Sequence, residues 1–361
     1  MRLFTVGPVQ LYPEVTNVKR EQIPYFRTDL YGDLVKDNLL RLAALLGTLF
    51  DNNILYLTAS GTAAMEATVE NCLGSQDKAL VINGGSFGHR FCELCAWHNI
   101  SYSSIDLAWD ETLTAQHLLP YENKGYTALI VNLHETSIGQ LYDIKLLSDF
   151  CKHNNMYLIV DAISTFLVDD YEMDRYGIDV TIFSSQKGLC LSPGLSFVAM
   201  SKRMVEKVQK GTPKSMYFDF KPYLKDILRG QTPFTPATFI MYELQAMLDL
   251  IDKMGGKHAW QDAIADKAIY FRKKAKSLGF SVKESTPQSN MMTVLQFEDV
   301  SARDIFLKLS EKYNIFVNPC GGDLAAKLMR VSHAGNISKA DIDDLLEKLI
   351  LIVQEIKNDK K

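Results

Sequence analysis

No stretch of this 361-residue chain approaches the eighteen or so uninterrupted apolar residues that a membrane span needs. The opening Met1 to Val15 carries Pro8, Gln10, Pro13 and Glu14 where a signal peptide would be apolar, so the expectation is a cytoplasmic protein. Basic runs are also missing. Lys and Arg number 39 against 43 Asp and Glu, a formal charge of −4, and no block of like charge exceeds the last few residues. That balance argues against nucleic acid or an anionic membrane surface as a partner. Cysteine is scarce: six residues are too few for a disulfide framework, and Cys72, Cys151, Cys190 and Cys320 stand alone. Cys92 and Cys95 form a CxxC without a second pair or histidines at metal spacing, within the helical-looking Phe87 to His98, where a spacing of three shares a face. We read them as two buried thiols and expect no metal. Internal repeats and low-complexity tracts are absent.

The chain does carry 47% hydrophobic and 23% charged residues, the make-up of an ordinary globular protein, and its length suggests two to three domains at roughly 150 residues each. Short β-branched runs alternate with stretches of helical period: Ala79 to Asn83, Ser104 to Leu107, Ala128 to Leu133, Tyr157 to Ala162, Val180 to Ser184 and Ser196 to Met200. Ala128-Leu-Ile-Val-Asn and Tyr157-Leu-Ile-Val-Asp are apolar at consecutive positions, as in parallel strands buried on both faces. Leu146 to Asn154 between them has helical spacing and completes a βαβ unit. Asp33 to Leu49 and Ala63 to Leu73 read as helices ahead of this sheet, Phe239 to Met254 as a long helix after it, and Gly255-Gly256 as a bend into a helix ending near Leu278. The remainder has strand-like Met291 to Phe297 and Met329 to Ser332 with helices Ala302 to Tyr313 and Lys339 to Lys357. The pattern predicts an α/β fold with a large domain over 17–254, a small α+β domain over 255–361, a frayed tail from Lys357, and an N-terminal segment 1–16 packing near the active site.

Three features suggest chemistry. Asp161 ends a buried strand, where open α/β sheets present ligand-binding groups. Lys187 follows the next apolar strand, in Ile182-Phe-Ser-Ser-Gln-Lys-Gly188, so both residues fall on one sheet edge; apolar neighbours lower an amine's pKa and make it a nucleophile toward an aldehyde. Ser60-Gly61-Thr62 opens a helix with free amides, two hydroxyls and a glycine, which is either an N-cap or a phosphate seat. Together they are the seat, the ring counter-ion and the amine that pyridoxal phosphate requires.

With these residues the sequence resembles class V, fold-type I pyridoxal-phosphate aminotransferases, in particular alanine or serine–glyoxylate and 2-aminoethylphosphonate–pyruvate transaminases. The resemblance rests on Thr5-Val-Gly-Pro8, Ala59-Ser-Gly-Thr-Ala-Ala-Met-Glu66, Asn83-Gly-Gly-Ser-Phe-Gly-His-Arg90, His134-Glu-Thr-Ser-Ile-Gly139, Val160-Asp-Ala-Ile-Ser164, Ser184-Ser-Gln-Lys-Gly188, Pro193-Gly194, Thr235-Pro236 and Met329-Arg330. It implies a large domain with a mostly parallel seven-stranded sheet and a homodimer with shared active sites. Lys187 would form the Schiff base and Asp161 would keep the ring nitrogen protonated. Ser60, Gly61, Thr62 and Gln186 would hold the phosphate, with Thr235 reaching in from the second subunit. Phe87 would stack on the ring, Ile163 would press its other face, and Thr136 would bond near the phenolic oxygen. Arg330 would grip the substrate carboxylate, while Gly7 and Arg27 would border the substrate. His134 and His89 are read as structural or supporting residues. The implied activity is transamination from alanine, serine or 2-aminoethylphosphonate to pyruvate or glyoxylate; the alternatives are a lyase or cysteine desulfurase using Cys320, and a cofactor-binding relative without turnover. The opening Gly7-Pro-Val-Gln10 departs from the family's Gly-Pro-Gly-Pro, and Gln231-Thr-Pro-Phe stands where some members offer a tyrosine to the neighbour's phosphate.

Overall fold

The computed structural model describes residues 1–18, 22, 24–49 and 53–359. Its centre is a seven-stranded sheet in the spatial order Ile54–Leu57, Ser196–Met200, Val180–Ser184, Tyr157–Asp161, Ala128–Asn132, Lys78–Asn83 and Ser101–Asp106. Ser196–Met200 runs antiparallel to both neighbours, and every other pairing is parallel. The consecutive apolar residues of the central strands serve two cores. Leu80, Ile82, Leu129, Val131, Leu158 and Val160 face one hydrophobic cluster, while the alternate Ala79, Val81, Ala128, Ile130 and Ile159 face the other. This is the period-2 alternation of a strand buried on both sides.

Helix ends follow local chemistry. Thr28 caps Asp29–Leu46 through its side chain, and Gly47 closes it at φ 69, the left-handed conformation that glycine adopts without strain. The helix therefore starts and stops earlier than the expected Asp33 to Leu49. The edge strand Ile54–Leu57 was not expected: its four residues are too few to show a period, and its partner strand is Ser196–Met200, far along the chain. The strand expected at Ser104 begins at Ser101, because its polar outer residues face solvent at the sheet edge.

The small domain is an antiparallel sheet in the order Ser281–Val282, Met292–Gln296, Leu328–Ser332 and Asn318–Pro319, packed with helices Ala302–Tyr313 and Lys339–Asp359. The C-terminal helix persists to Asp359, past the tail expected from Lys357, and residues 360 and 361 lie outside the described residues. Helix Gly256–Ser277 begins just after the boundary expected at 254/255, yet it does not pack in the small core alone. Trp260 and Ile264 are buried in the large core and Phe271 and Ala275 in the small one, so one continuous helix serves both.

The N-terminal segment ties the two parts together. Arg2–Leu3 pairs in parallel with Ile315–Phe316, Phe4 is buried in the small core, and Val9 N donates to Gln186 O at 3.2 Å in the large domain. Strand Lys78–Asn83 has its successor Ser101–Asp106 on one side and Ala128–Asn132 on the other. The connections leave in opposite directions there, which opens a crevice at the carboxyl ends of the strands.

Candidate functional site

Asp161 ends its strand at that crevice. Its Oδ1 accepts from Ile163 N at 2.8 Å, and its Oδ2 accepts from Asn132 Nδ2 at 2.8 Å across the paired strand. Burial raises its pKa to about 6; the Ile163 amide, Lys187 and Asn132 oppose that rise. Lys187 stands three residues beyond Val180–Ser184 in a turn that demands glycine, since a Cβ at Gly188 would collide with the Phe166 carbonyl oxygen. Burial lowers the Lys187 amine to about 8, with Arg330 adding to the shift and Asp161 and Glu135 opposing it. Gly7, at φ +122, lies so close that a Cβ would sit 2.8 Å from Lys187 Cγ; the lysine stem is clamped by backbone that no side chain could replace.

Helix Gly61–Cys72 points its N-terminus into the same cavity. Ser60 does both jobs left open by its sequence. Its Oγ caps Ala63 N at 3.3 Å, and it also lines the cavity. Ala63 and Ala64 amides are satisfied by Ser60, while those of Gly61 and Thr62 have no acceptor among the described residues. A Cβ on Gly61 would lie 2.6 Å from Ile163 Cδ1, so the glycine lets the helix start press on Ile163, and the buried Ser184 Oγ beside it has no partner. Gln186 borders the same space.

Phe87 opens helix Ser86–Trp97 with its ring centroid 5.5 Å from Lys187 Nζ. Gly85, the residue before this helix, offers no side-chain cap. The cap comes from Glu135, whose Oε2 accepts from Phe87 N at 3.0 Å and Gly88 N at 2.9 Å while its Oε1 accepts from Ser137 N at 3.2 Å and Ser137 Oγ at 2.6 Å. A buried carboxylate at a helix N-terminus is favoured by the aligned peptide dipoles. Arg90, one turn on, stacks on Phe87 at 5.0 Å and donates to Thr62 Oγ1 at 3.1 Å, which joins the ring to the helix start opposite. Sequence reasoning gave Glu135, Arg90, Asn132 and Asn318 no role. Glu135 and Arg90 lie inside the motifs of the resemblance, but the helix start that Glu135 caps and the Thr62 hydroxyl that Arg90 reaches lie tens of residues away.

Arg330 enters from the small domain. Its Nη1 donates to Thr136 O at 2.9 Å and its Nη2 to Pro319 O at 2.8 Å, while the buried Nε has no partner among the described residues. Lys187, Asp161, Ser60, Gly61, Thr62, Phe87, Thr136, Ile163, Gln186, Gly7 and Arg330 thus line one cavity of about 290 Å³. Two expected residues do not. Arg27 is exposed and held by Gln231 Oε1 and Thr232 O at 3.1 and 2.9 Å, and Thr235 is exposed on a loop away from this chain's own cavity. Of the histidines, His89 is surface-exposed near Glu93, while His134 is buried with both ring nitrogens unpartnered; burial next to Lys187 and Lys283 lowers it to about 3, so it stays neutral. Cys320 is buried, does not line the cavity, and its thiol is pushed up by burial, the opposite of what a desulfurase nucleophile requires. Cys92 and Cys95 are likewise buried thiols. Among the described residues no His, Cys, Asp and Glu side chains gather at metal spacing, and no helix is long and apolar enough to cross a membrane.

The donor set fits pyridoxal phosphate. Two free amides at a helix start suit a phosphate, a buried carboxylate suits a pyridinium, a low-pKa amine suits an aldehyde, and an aromatic ring and Ile163 offer apolar faces to a planar ring.

Comparison with known proteins agrees. Residues 27–345 match the profile of the family described as "Aminotransferase class-V". The chain is 28% identical to an uncharacterized aminotransferase of Methanocaldococcus jannaschii, covering 98% of this chain and 93% of that protein. It is 26% identical to a serine–glyoxylate aminotransferase of Arabidopsis thaliana, covering 98% and 90%. Among solved structures, alanine–glyoxylate aminotransferase from Nostoc sp. superposes with a TM-score of 0.91 at 24% identity, covering 97% of this chain and 94% of that one.

Proposed function

Because the chain belongs to the class-V aminotransferase family, whose members depend on pyridoxal phosphate, we propose that it transfers an amino group from a small donor (alanine, serine or 2-aminoethylphosphonate) to pyruvate or glyoxylate. The carrying observation is that the half-buried Arg330, whose Nε has no partner among the described residues, shares one cavity with the low-pKa Lys187. Such an arginine suits an anion on a substrate whose other end must meet the amine.

Pyridoxal phosphate, when bound, supplies an aldehyde and an electron-withdrawing ring for the reacting carbon. The residues do the rest. The Gly61 and Thr62 amides at the helix N-terminus would hold the phosphate, assisted by Gln186. Asp161, fixed by Asn132 and the Ile163 amide, keeps a proton on the ring nitrogen. Phe87 and Ile163, which line the cavity, would confine the ring, and Thr136 would bond near its phenolic oxygen. The neutral Lys187 Nζ would accept the proton from the substrate's Cα and hold it as an ammonium. With its pKa at about 8 in place of 10.5, the neutral amine is roughly 300-fold more abundant at pH 7 than on a free lysine. The homodimer belongs to the same proposal: Thr235, exposed on its own protomer, reaches the partner subunit's phosphate seat, and Arg27 borders the shared mouth.

The test is a screen of the cofactor-loaded protein. L-alanine, L-serine and 2-aminoethylphosphonate are added singly, the cofactor's absorbance change is followed, and pyruvate or glyoxylate is used to reverse it. Lys187→Ala should abolish the change, and borohydride should fix cofactor to Lys187 in the native protein only. A native protein in which no donor alters the absorbance would sink the reading.

A further inference from the structure

Arg330 does not stand alone on its wall of the cavity. Asn318 is its directly opposed partner in the small antiparallel sheet, and it lines the same space. Directly opposed residues of an antiparallel pair project to the same face with Cβ atoms about 5 Å apart, within the span of one carboxylate and its two donors. The amide is oriented by the N-terminal segment: Oδ1 accepts from Val6 N at 2.8 Å, which leaves Nδ2 with no protein acceptor among the described residues. The carbonyl of the next residue, Pro319, already takes Arg330 Nη2, so the free edge of the guanidinium and the free amide are held by adjacent residues of one strand.

We propose that Asn318 is a second recognition residue for the substrate's acid group, its Nδ2 donating to one oxygen while Arg330 takes the other. The proposal rests on the aminotransferase reading above and narrows its substrate class. One cation and one neutral donor match a monoanionic carboxylate; a dianionic phosphonate at this wall would leave charge uncompensated, since among the described residues only Lys187, committed to the amine chemistry, and Arg330 are cationic side chains in this chain's own lining, and Arg27 at the mouth is already held by Gln231 and Thr232. The favoured donors are therefore α-amino acids such as alanine or serine.

The same amide has a positioning role. Val6 precedes Gly7, whose backbone abuts the Lys187 stem, and Val9 N is bonded to Gln186 O. A substrate oxygen that fixes Asn318 also fixes the segment bordering the reactive lysine.

Two carbonyl-capture reagents test this without knowledge of the natural donor: aminooxyacetate, which bears a carboxylate, and O-methylhydroxylamine, which does not. (Aminooxy)methylphosphonate supplies the phosphonate arm. Asn318→Asp keeps an acceptor for Val6 N and replaces the donor by an anion. The capture rate with aminooxyacetate should fall about 30-fold or more, on the scale of a lost charge-region hydrogen bond, while O-methylhydroxylamine stays within about twofold. Amide exchange at Val6, measured on the protein without cofactor, should be unchanged in Asn318→Asp and about 10-fold faster in Asn318→Ala. Wild-type protein should prefer aminooxyacetate to the phosphonate. An unchanged aminooxyacetate rate in Asn318→Asp, an equal fall with both uncharged and charged reagents, or a preference for the phosphonate overturns the proposal while leaving the cofactor reading intact. Wild-type protein that captures none of the reagents overturns the cofactor reading and the proposal with it.

Discussion

Replacing Glu135 by Gln keeps the shape of the side chain and removes its charge. The carboxylate accepts four hydrogen bonds, two from the first turn of helix Ser86–Trp97 and two from Ser137. The glutamine amide group will turn toward Ser137, whose hydroxyl can rotate to accept, so the Phe87 and Gly88 amides keep an oxygen and only Ser137 N is orphaned. Three bonds lose their ionic character at about 1 kcal/mol each, and one orphaned amide costs about 1–3 kcal/mol. Relief of the carboxylate's desolvation offsets part of this, leaving a net loss of about 2–4 kcal/mol centred on the start of that helix. Amide exchange should therefore quicken at Phe87 and Gly88 by roughly 30-fold or more, at about 1.4 kcal/mol per factor of ten. A second consequence concerns Lys187, which the Glu135 charge holds up. Its reactivity toward an aldehyde should rise at a lower pH in the variant than in the native protein. Exchange within threefold of native at Phe87 and Gly88, together with an unmoved Lys187 profile, would show that Glu135 neither caps the helix nor acts on the lysine.

Gly7→Ala places a Cβ 2.8 Å from Lys187 Cγ at a φ of +122, so Lys187 must shift; reductive trapping of pyridoxal phosphate on Lys187 should slow by at least about 10-fold, given that strain of this kind costs of order 1–3 kcal/mol. Asn132→Ala removes a donor that lowers Asp161, so the carboxyl should titrate above about 6, as carboxyl infrared difference spectra would reveal. The Lys187 shift also predicts a stability slope. The unfolded chain binds the proton more tightly between about pH 8 and 10.5, so stability should rise with pH across that window, by roughly 3 kcal/mol in full. Urea unfolding of native protein against Lys187→Met isolates this term, and parallel pH profiles would contradict it.

Much of the site was legible because its residues sit at strand and helix ends. Asp161 and Lys187 both follow apolar runs that can only be buried strands, and the spacing puts them on one edge of the sheet. Ser60-Gly61-Thr62 announced a helix start, and the structure resolves its ambiguity by using Ser60 as cap while the next two amides stay free. The edge strand Ile54–Leu57 was missed because four residues show no period, and the split of helix Gly256–Ser277 between two cores was missed because both halves have the same amphipathic rhythm.

The sequence by itself determined the class of fold and singled out an amine, an acid and a helix start that the fold brings to one cavity, since burial of continuous apolar runs forces a doubly covered sheet and the chemistry of such groups is local. Tertiary structure alone decided how those groups are held. Glu135 reaching across to cap the Phe87 helix, Asn132 steadying Asp161, Gly7 clamping Lys187, and Asn318 and Arg330 meeting Val6 and Thr136 are contacts between segments 29 to 312 residues apart. No periodicity or spacing in the chain records such pairs, because they are set by where the folded elements cross and not by what neighbours each residue along the backbone.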